Sequence, residues 1–302
     1  MNSILTLWKF SRPHTIIGSV ISIFTLYYIV CQHQVTQCLA YLFVALSIGI
    51  TCNLFIVGIN QIADVPIDRI NKPYLAIPSG RLSVQEAKVI VLTALGISLA
   101  LALYTSPYLF GIILLAATIG WAYSMPPFYL KQHHVTAALA ISTVRGVLLN
   151  AGGFLVFNYL VNDTLGMPEN VKILTLFIIA FSIVISWFKD LPDIEGDAKY
   201  NIKTFAILCS PRFVLITGNL LVGLAYIFTI YLKAVDFIHS EIPSVETSVL
   251  LVGHIFLLGL FILNAFFIRL SEYSSIKKFY TRFWWFFFAE YALYLVAYTL
   301  PV

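Results

Sequence analysis

Asn60-Gln61-Ile62-Ala63-Asp64-Val65-Pro66-Ile67-Asp68-Arg69-Ile70-Asn71-Lys72-Pro73-Tyr74-Leu75-Ala76-Ile77-Pro78-Ser79-Gly80 is a polar stretch set between long apolar runs. Its first thirteen residues hold two carboxylates, two cations and two asparagines. A second cluster, Lys189-Asp190-Leu191-Pro192-Asp193-Ile194-Glu195-Gly196-Asp197, repeats the Asp-x-x-x-Asp spacing 129 residues later, with Asp193 and Asp197 answering Asp64 and Asp68. A single cluster of this kind reads as a solvated loop. Two with the same spacing, each adjoined by Lys or Arg, read as two halves of one site that face each other.

The runs around them set the fold class. The 302 residues are 60% hydrophobic and only 11% charged, with a mean hydropathy of +0.91; soluble chains carry about 25% charged residues. Lipid admits only segments whose backbone polar groups are bonded internally. The apolar runs are continuous over ~20 residues rather than alternating, which favours helices over a barrel. We therefore read a single all-α, integral-membrane domain over residues 1–302. Its nine spans are Pro13–Val30, Gln37–Ile59, Ala87–Tyr104, Tyr108–Tyr123, Val135–Tyr159, Ile173–Trp187, Phe213–Leu232, Ser248–Ile268 and Phe283–Leu300.

Charge placement supports this topology. The N-terminal segment and the loops after the second, fourth, sixth and eighth spans share one side, and they hold fifteen of the eighteen Lys and Arg residues. Lys172 and Lys233 fall on the other side, and Arg145 lies inside a span. Such a bias places the N-terminus and both acidic clusters on the cytoplasmic or stromal side. The clusters follow the second and sixth spans, corresponding positions of two four-helix halves, as an internal duplication would leave them. The net charge of +4 is spread over loops and is no nucleic-acid signal. Cys31 and Cys38 flank a short loop and are near enough to pair, Cys52 and Cys209 read as small apolar residues, and no ligand spacing is present. Trp8 to His14 carries no Arg- and Ser-rich leader, as expected of a bacterial chain or a mature organellar form.

Asn60, Asp64 and Asp68 stand at i, i+4 and i+8, one face of a helix leaving the membrane. Pro66 requires a kink or a new helix there. Asp190, Asp193 and Asp197 also share a face, and Asp190 before Leu191-Pro192 suits an N-cap. Facing carboxylates repel unless a cation lies between them. Mg²⁺, which takes carboxylates and phosphate oxygens, is the natural candidate, lying between the carboxylates of the two clusters. Arg69, Lys72, Lys131, Lys189, Lys199 and Lys203 suit the remaining charge of a diphosphate. A diphosphate so held is a good leaving group, and Tyr123, Phe128, Trp121 and Trp187 can steady an allylic cation through their ring faces. An intramembrane Arg is functional by default; phosphate, a carboxylated acceptor and Glu290 of the ninth span are all open partners for Arg145. His14 reads as interfacial packing, His133 and His134 as loop residues and His254 as a satisfied helix histidine.

On Arg12-Pro13-His14-Thr15, Asn60-x-x-x-Asp64-x-x-x-Asp68, Tyr123-Ser124 with Pro126-Pro127, and Asp190-x-x-Asp193-x-x-x-Asp197, the chain resembles the UbiA superfamily of intramembrane prenyltransferases. Asn60-Gln61 with Ile67-Asp68-Arg69-Ile70-Asn71-Lys72-Pro73, the second cluster, and Thr143-Val144-Arg145-Gly146 with Asn150 are similar to the homogentisate prenyltransferases. The resemblance implies nine helices around a central cavity open to lipid, Mg²⁺ dependence with Asn60, Asp64, Asp68, Asp190, Asp193 and Asp197 as metal ligands, and Asp64, Asp68, Asp193 and Asp197 as catalytic groups. It further implies that Arg69, Lys72, Tyr123, Lys131, Arg145 and Lys189 bind substrate. The implied reaction is phytyl transfer from phytyl diphosphate to homogentisate with decarboxylation, giving 2-methyl-6-phytyl-1,4-benzoquinol in tocopherol synthesis, in a cyanobacterial or plastid membrane. Geranylgeranyl or solanesyl donors are the alternatives within the family, and no protein partner is expected. A transporter of a phosphorylated solute is the rival from another class, but it would place its binding groups near the midplane, where only Arg145 and Glu290 lie.

Overall fold

The computed structural model describes residues 3–32 and 38–300. In chain order the helices are α1 (Ser3–Phe10), α2 (Pro13–Val30), α3 (Leu39–Ala63), α4 (Val65–Asn71), α5 (Val84–Thr105), α6 (Pro107–Ser124), α7 (His134–Ser142), α8 (Gly153–Asn162), α9 (Glu169–Phe188), α10 (Ile194–Lys199), α11 (Phe205–Leu208), α12 (Pro211–His239), α13 (Val245–Phe266) and α14 (Tyr273–Thr299). A π-helical segment, Thr143–Gly152, joins α7 to α8 into one rod. Gln37, where the second span was expected to begin, lies outside the described residues.

Local chemistry marks the starts. Ser106, Ser210 and Ser244 accept from the backbone N–H of Tyr108, Phe213 and Thr247, capping α6, α12 and α13. Ser83 and Glu86 form a reciprocal capping box at α5. Pro13, Pro107 and Pro211 stand at first helical positions, where their missing N–H costs nothing.

Eight helices among the described residues are long and apolar enough to cross a membrane, the α7–α8 rod counting as one. The expected ninth span is α14. Its 27 residues reach ~40 Å. It packs between α13 and α2 and buries Glu290 against His254 of α13, with Oε1 and Nε2 2.9 Å apart. That contact ties α14 to α13 and makes His254 the satisfied histidine expected, while the packing of α14 on α2 closes the ring of spans. α14 also begins ten residues earlier than hydropathy places it. Tyr273 to Arg282 is too polar for an apolar window, yet it continues the helix past the hydrocarbon.

α9 is the most enclosed span, with 67% of its apolar window buried against 28% for α5 and α13. Phe177, Phe181 and Phe188 of α9 are fully covered by α12, α13 and α14. The four cysteines are free; Cys31 and Cys38 are buried thiols, and Cys209 is exposed rather than packed.

Candidate active site

Asp64 ends α3 and opens α4, so the chain breaks there and a new helix starts, with Pro66 at its second position. The Asn60 side chain donates to Asp64 Oδ2 at 3.0 Å. On the other side of the bundle α9 runs into a turn, and Asp193 occupies the N-cap position of α10. α4 packs on α10, so two loops far apart in sequence meet face to face.

Asn71 makes that junction. Its amide donates to the carbonyl of Asp193 at 3.0 Å and accepts from the Gly196 N–H at 2.9 Å. The N–H of a third helical residue is an orphan that an N-cap side chain usually takes. Here the Asp193 carboxylate is held instead by the Lys72 ammonium, and Asn71 replaces it. Gly196 is needed for this approach, since a Cβ there would stand 2.4 Å from Asn71 Oδ1. Two further lysines hold aspartates: Lys131 pairs with Asp64, and Lys189 with Asp190 at 2.7 Å. Asp190 is therefore an ion-pair partner and not the N-cap expected of it.

These groups ring the mouth of a cavity of about 1030 Å³. Asn60, Asp64, Asp68, Lys72, Tyr123, Lys131, Arg145, Lys189, Asp190, Asp193 and Asp197 all line it. Arg69 does not: one helical step from Asp68, it is exposed on the outer face of α4. Lys199 is tied to Glu195 at 3.0 Å and, with Lys203, also stands outside. Trp121, Phe128 and Trp187 do not face the cavity either. Trp121 lies two residues, ~200°, around α6 from Tyr123, and Trp187 packs on Phe205. The aromatic wall comes instead from α14, through Tyr280, Trp284, Phe287, Phe288 and Tyr291.

Arg12 is a cavity residue that the spacing of the acidic motifs did not mark. It sits in the left-handed region, φ 51°, and caps α2 with its carbonyl accepting from Thr15 N–H at 2.8 Å. Such backbone is costly outside glycine and clusters at functional sites. The signal was the Arg12-Pro13-His14-Thr15 stretch on which the family resemblance rests in part. Lys277 and Tyr273 join the mouth because α14 extends beyond the hydrocarbon.

The electrostatics are those of a buried, crowded carboxylate set. Burial raises Asp68 to about 6, with Arg12 and Lys72 opposing and Asp64 and Asp193 adding. Burial, then Asp190, raises Asp197 to about 7. Burial also raises Asp190, although Lys189 opposes it. Burial works against the Lys72 ammonium, but the Asp193 and Asp68 carboxylates raise it on balance; at Lys131 burial wins and lowers it. Asp68 Oδ2 and Asp193 Oδ1 are buried with no hydrogen-bond partner. Among the described residues no three carboxylate, imidazole or thiolate groups close into a metal cage. Mg²⁺ does not require one: it is bound by one or two carboxylates plus waters and phosphate oxygens. Hard oxygen donors, two of them orphaned, fit that ion.

The family model described as the UbiA prenyltransferase family matches residues 19–287. The chain belongs to the UbiA prenyltransferase family. It is an integral membrane prenyltransferase. It is 36% identical over 310 residues to the homogentisate phytyltransferase of Synechocystis sp., an alignment covering 100% of this chain and 98% of that protein. It is 34% identical over 299 residues to the chloroplastic homogentisate solanesyltransferase of Arabidopsis thaliana, covering 95% of this chain and 75% of that one. A UbiA homologue from Archaeoglobus fulgidus, solved bound to GPP and Mg²⁺, superposes with a TM-score of 0.60 over 95% of this chain and 99% of that one. At 18% identity that likeness carries the UbiA fold alone.

Proposed function

We propose that this UbiA prenyltransferase transfers a phytyl group from phytyl diphosphate to homogentisate, with loss of diphosphate and CO₂. The observation that carries the reading is one continuous cavity with two chemistries. Its mouth is lined by the aspartates of both motifs and by cations that include Arg12, Lys72, Lys131 and Lys189; its depth, apart from Arg145, is mainly apolar and aromatic. At about 1030 Å³ it is at the upper end of the ~300–1,000 Å³ usual for small-molecule sites. That is room for a long apolar chain beside a ring.

Asp64, Asp68, Asp193 and Asp197, with Asn60 and Asp190 beside them, would hold Mg²⁺. The bound ion supplies charge neutralisation to the diphosphate as a leaving group. Lys72, Lys131 and Lys189 stand on aspartates and within the same cavity, so the incoming diphosphate offers each ammonium a second anion. The apolar walls exclude water from the allylic cation, and the ring faces of Tyr280, Trp284 and Phe287 steady it. The electron-rich homogentisate ring is the nucleophile, and no covalent enzyme intermediate is required. A new carbon–carbon bond replaces the carbon–oxygen bond to diphosphate. The proton lost by the ring carbon balances the one gained when the carboxymethyl group becomes methyl.

Similarity along nearly the whole Synechocystis sp. homogentisate phytyltransferase supports the phytyl donor and the homogentisate acceptor. The positive-inside bias supports a site on the cytoplasmic or stromal face, and the likeness to cyanobacterial and chloroplastic relatives supports a cyanobacterial or plastid membrane. Purified protein in detergent, given homogentisate and a panel of phytyl, geranylgeranyl and solanesyl diphosphates, tests the reading by product mass. Phytyl diphosphate is expected to show the highest kcat/KM. Preference for a longer chain overturns the donor, and diphosphate release without any membrane gradient excludes transport as the activity.

A further inference from the structure

We infer that Arg145 is the carboxylate anchor of an acceptor subsite deep in the cavity; the inference rests on the proposed aromatic acceptor. Arg145 sits within the π-helical segment Thr143–Gly152 and lines the cavity. π-Helical turns are rare and are frequent at functional sites. Gly146, the next residue, seats the segment on α9, where an added Cβ would meet Ile179 Cγ1 at 2.3 Å. The Arg145 guanidinium is turned to α14, 4.9 Å from the Trp284 ring centroid and 5.7 Å from that of Phe287.

No carboxylate among the described residues pairs with it. Glu290, the one carboxylate on this part of α14, is bound to His254. The titratable groups facing Arg145 are the phenols of Tyr280 and Tyr291 and the imidazole of His14, and among the described residues it makes no hydrogen bond or ion pair. The mouth lysines differ, since Lys72, Lys131 and Lys189 each hold an aspartate. A half-buried cation that no anion among the described residues meets, fixed between aromatic faces and open to the cavity, fits an anionic ligand carrying an aromatic ring. A guanidinium matches a carboxylate with two parallel N–H donors. The diphosphate has its own cations at the mouth. The arylacetate carboxylate of the acceptor is therefore the ligand assigned to Arg145, which places the acceptor ring against Trp284 and below the ionising carbon.

The test compares wild type with Arg145→Gln and Arg145→Lys, using homogentisate and methylhydroquinone, the same ring without its carboxylate. Arg145→Gln is expected to raise the homogentisate KM by about 10- to 100-fold. The KM for phytyl diphosphate should stay within about twofold, the preference for homogentisate over methylhydroquinone should collapse, and Arg145→Lys should fall between. A rise in the donor KM instead, or an equal loss with both acceptors, overturns the assignment. Titration calorimetry with homogentisate and 4-hydroxyphenylacetate separates this idea from the proposed reaction. Arylacetate binding that Arg145→Gln abolishes supports the subsite even if no prenylated product forms. Binding unchanged in a folded Arg145→Gln protein refutes the subsite even if wild type makes the product.

Discussion

Substituting Gly196 by alanine tests whether the two aspartate motifs work as one site. The new Cβ would lie 2.4–2.6 Å from the side-chain amide atoms of Asn71, too close for any real contact. The backbone of α10 is held by its own turn, so the Asn71 side chain must swing away. It then loses the bonds of 3.0 and 2.9 Å that join α4 to α10. At about 0.5–1.5 kcal/mol for each hydrogen bond, the docking of the two motifs weakens by about 1–3 kcal/mol. Each 1.4 kcal/mol is tenfold, so kcat/KM for the prenyl diphosphate should fall by roughly 5- to 150-fold.

Asn71→Ala removes the same two bonds and should cost a similar amount. The double variant is the discriminating measurement. Asn71→Ala also removes the atoms that the methyl introduced by Gly196→Ala would strike. The double should therefore be no worse than the poorer single, a coupling expected of residues in contact. Steady-state kinetics on the three variants, with helicity checked by circular dichroism, decide it. Strictly additive losses would refute the clasp, and so would a Gly196→Ala enzyme with wild-type kinetics.

The carboxylates and cations of the mouth give further expectations. Asp64→Asn and Asp193→Asn should each lower kcat/KM by about 100-fold or more; full turnover at limiting Mg²⁺ would remove them from the metal–diphosphate site. EDTA should stop turnover and added Mg²⁺ restore it, whereas activity indifferent to the chelator would contradict a metal held by these aspartates. Arg12→Gln should raise the donor KM about tenfold or more, while Arg69→Gln, exposed outside the cavity, should stay within about twofold. The reverse order, measured as donor KM, would place the phosphate on the outer face of α4.

The spans and the two motifs were legible because polar residues are conspicuous in a chain this apolar. A window average finds the hydrocarbon-length runs, and aspartates at helical spacing stand out between them. Facing was less legible. Tyr123 and Trp121 are both aromatic residues at the end of one helix, yet only Tyr123 lines the cavity, and Asp68 and Arg69 part in the same way. The N-cap expected at Asp190 passed to Asp193, whose carboxylate went to Lys72, leaving the cap bond to Asn71 of the other motif. No local pattern contains that exchange, because its partners are more than a hundred residues apart. α14 starts ahead of the span that hydropathy marks, because hydropathy reports the solvent around a helix and not where its hydrogen bonds end.

The polar stretch from Asn60 to Lys72 and its counterpart at Asp190 to Asp197 were thus specified along the chain, in residue type and spacing, as was the membrane setting around them. Their chemistry follows from elementary charge: carboxylates recruit hard cations, and ammonium groups recruit phosphate. Which groups share a cavity was settled by packing. The ring closure of α14 on α2 brought an aromatic wall and Lys277 to the mouth, the π-helical segment turned Arg145 to Trp284, and His254 took Glu290 from it. Side-chain direction depends on how helices rotate against their neighbours. That rotation is set by close packing and by the pairing of buried charge over the whole bundle, so no single stretch of sequence holds it.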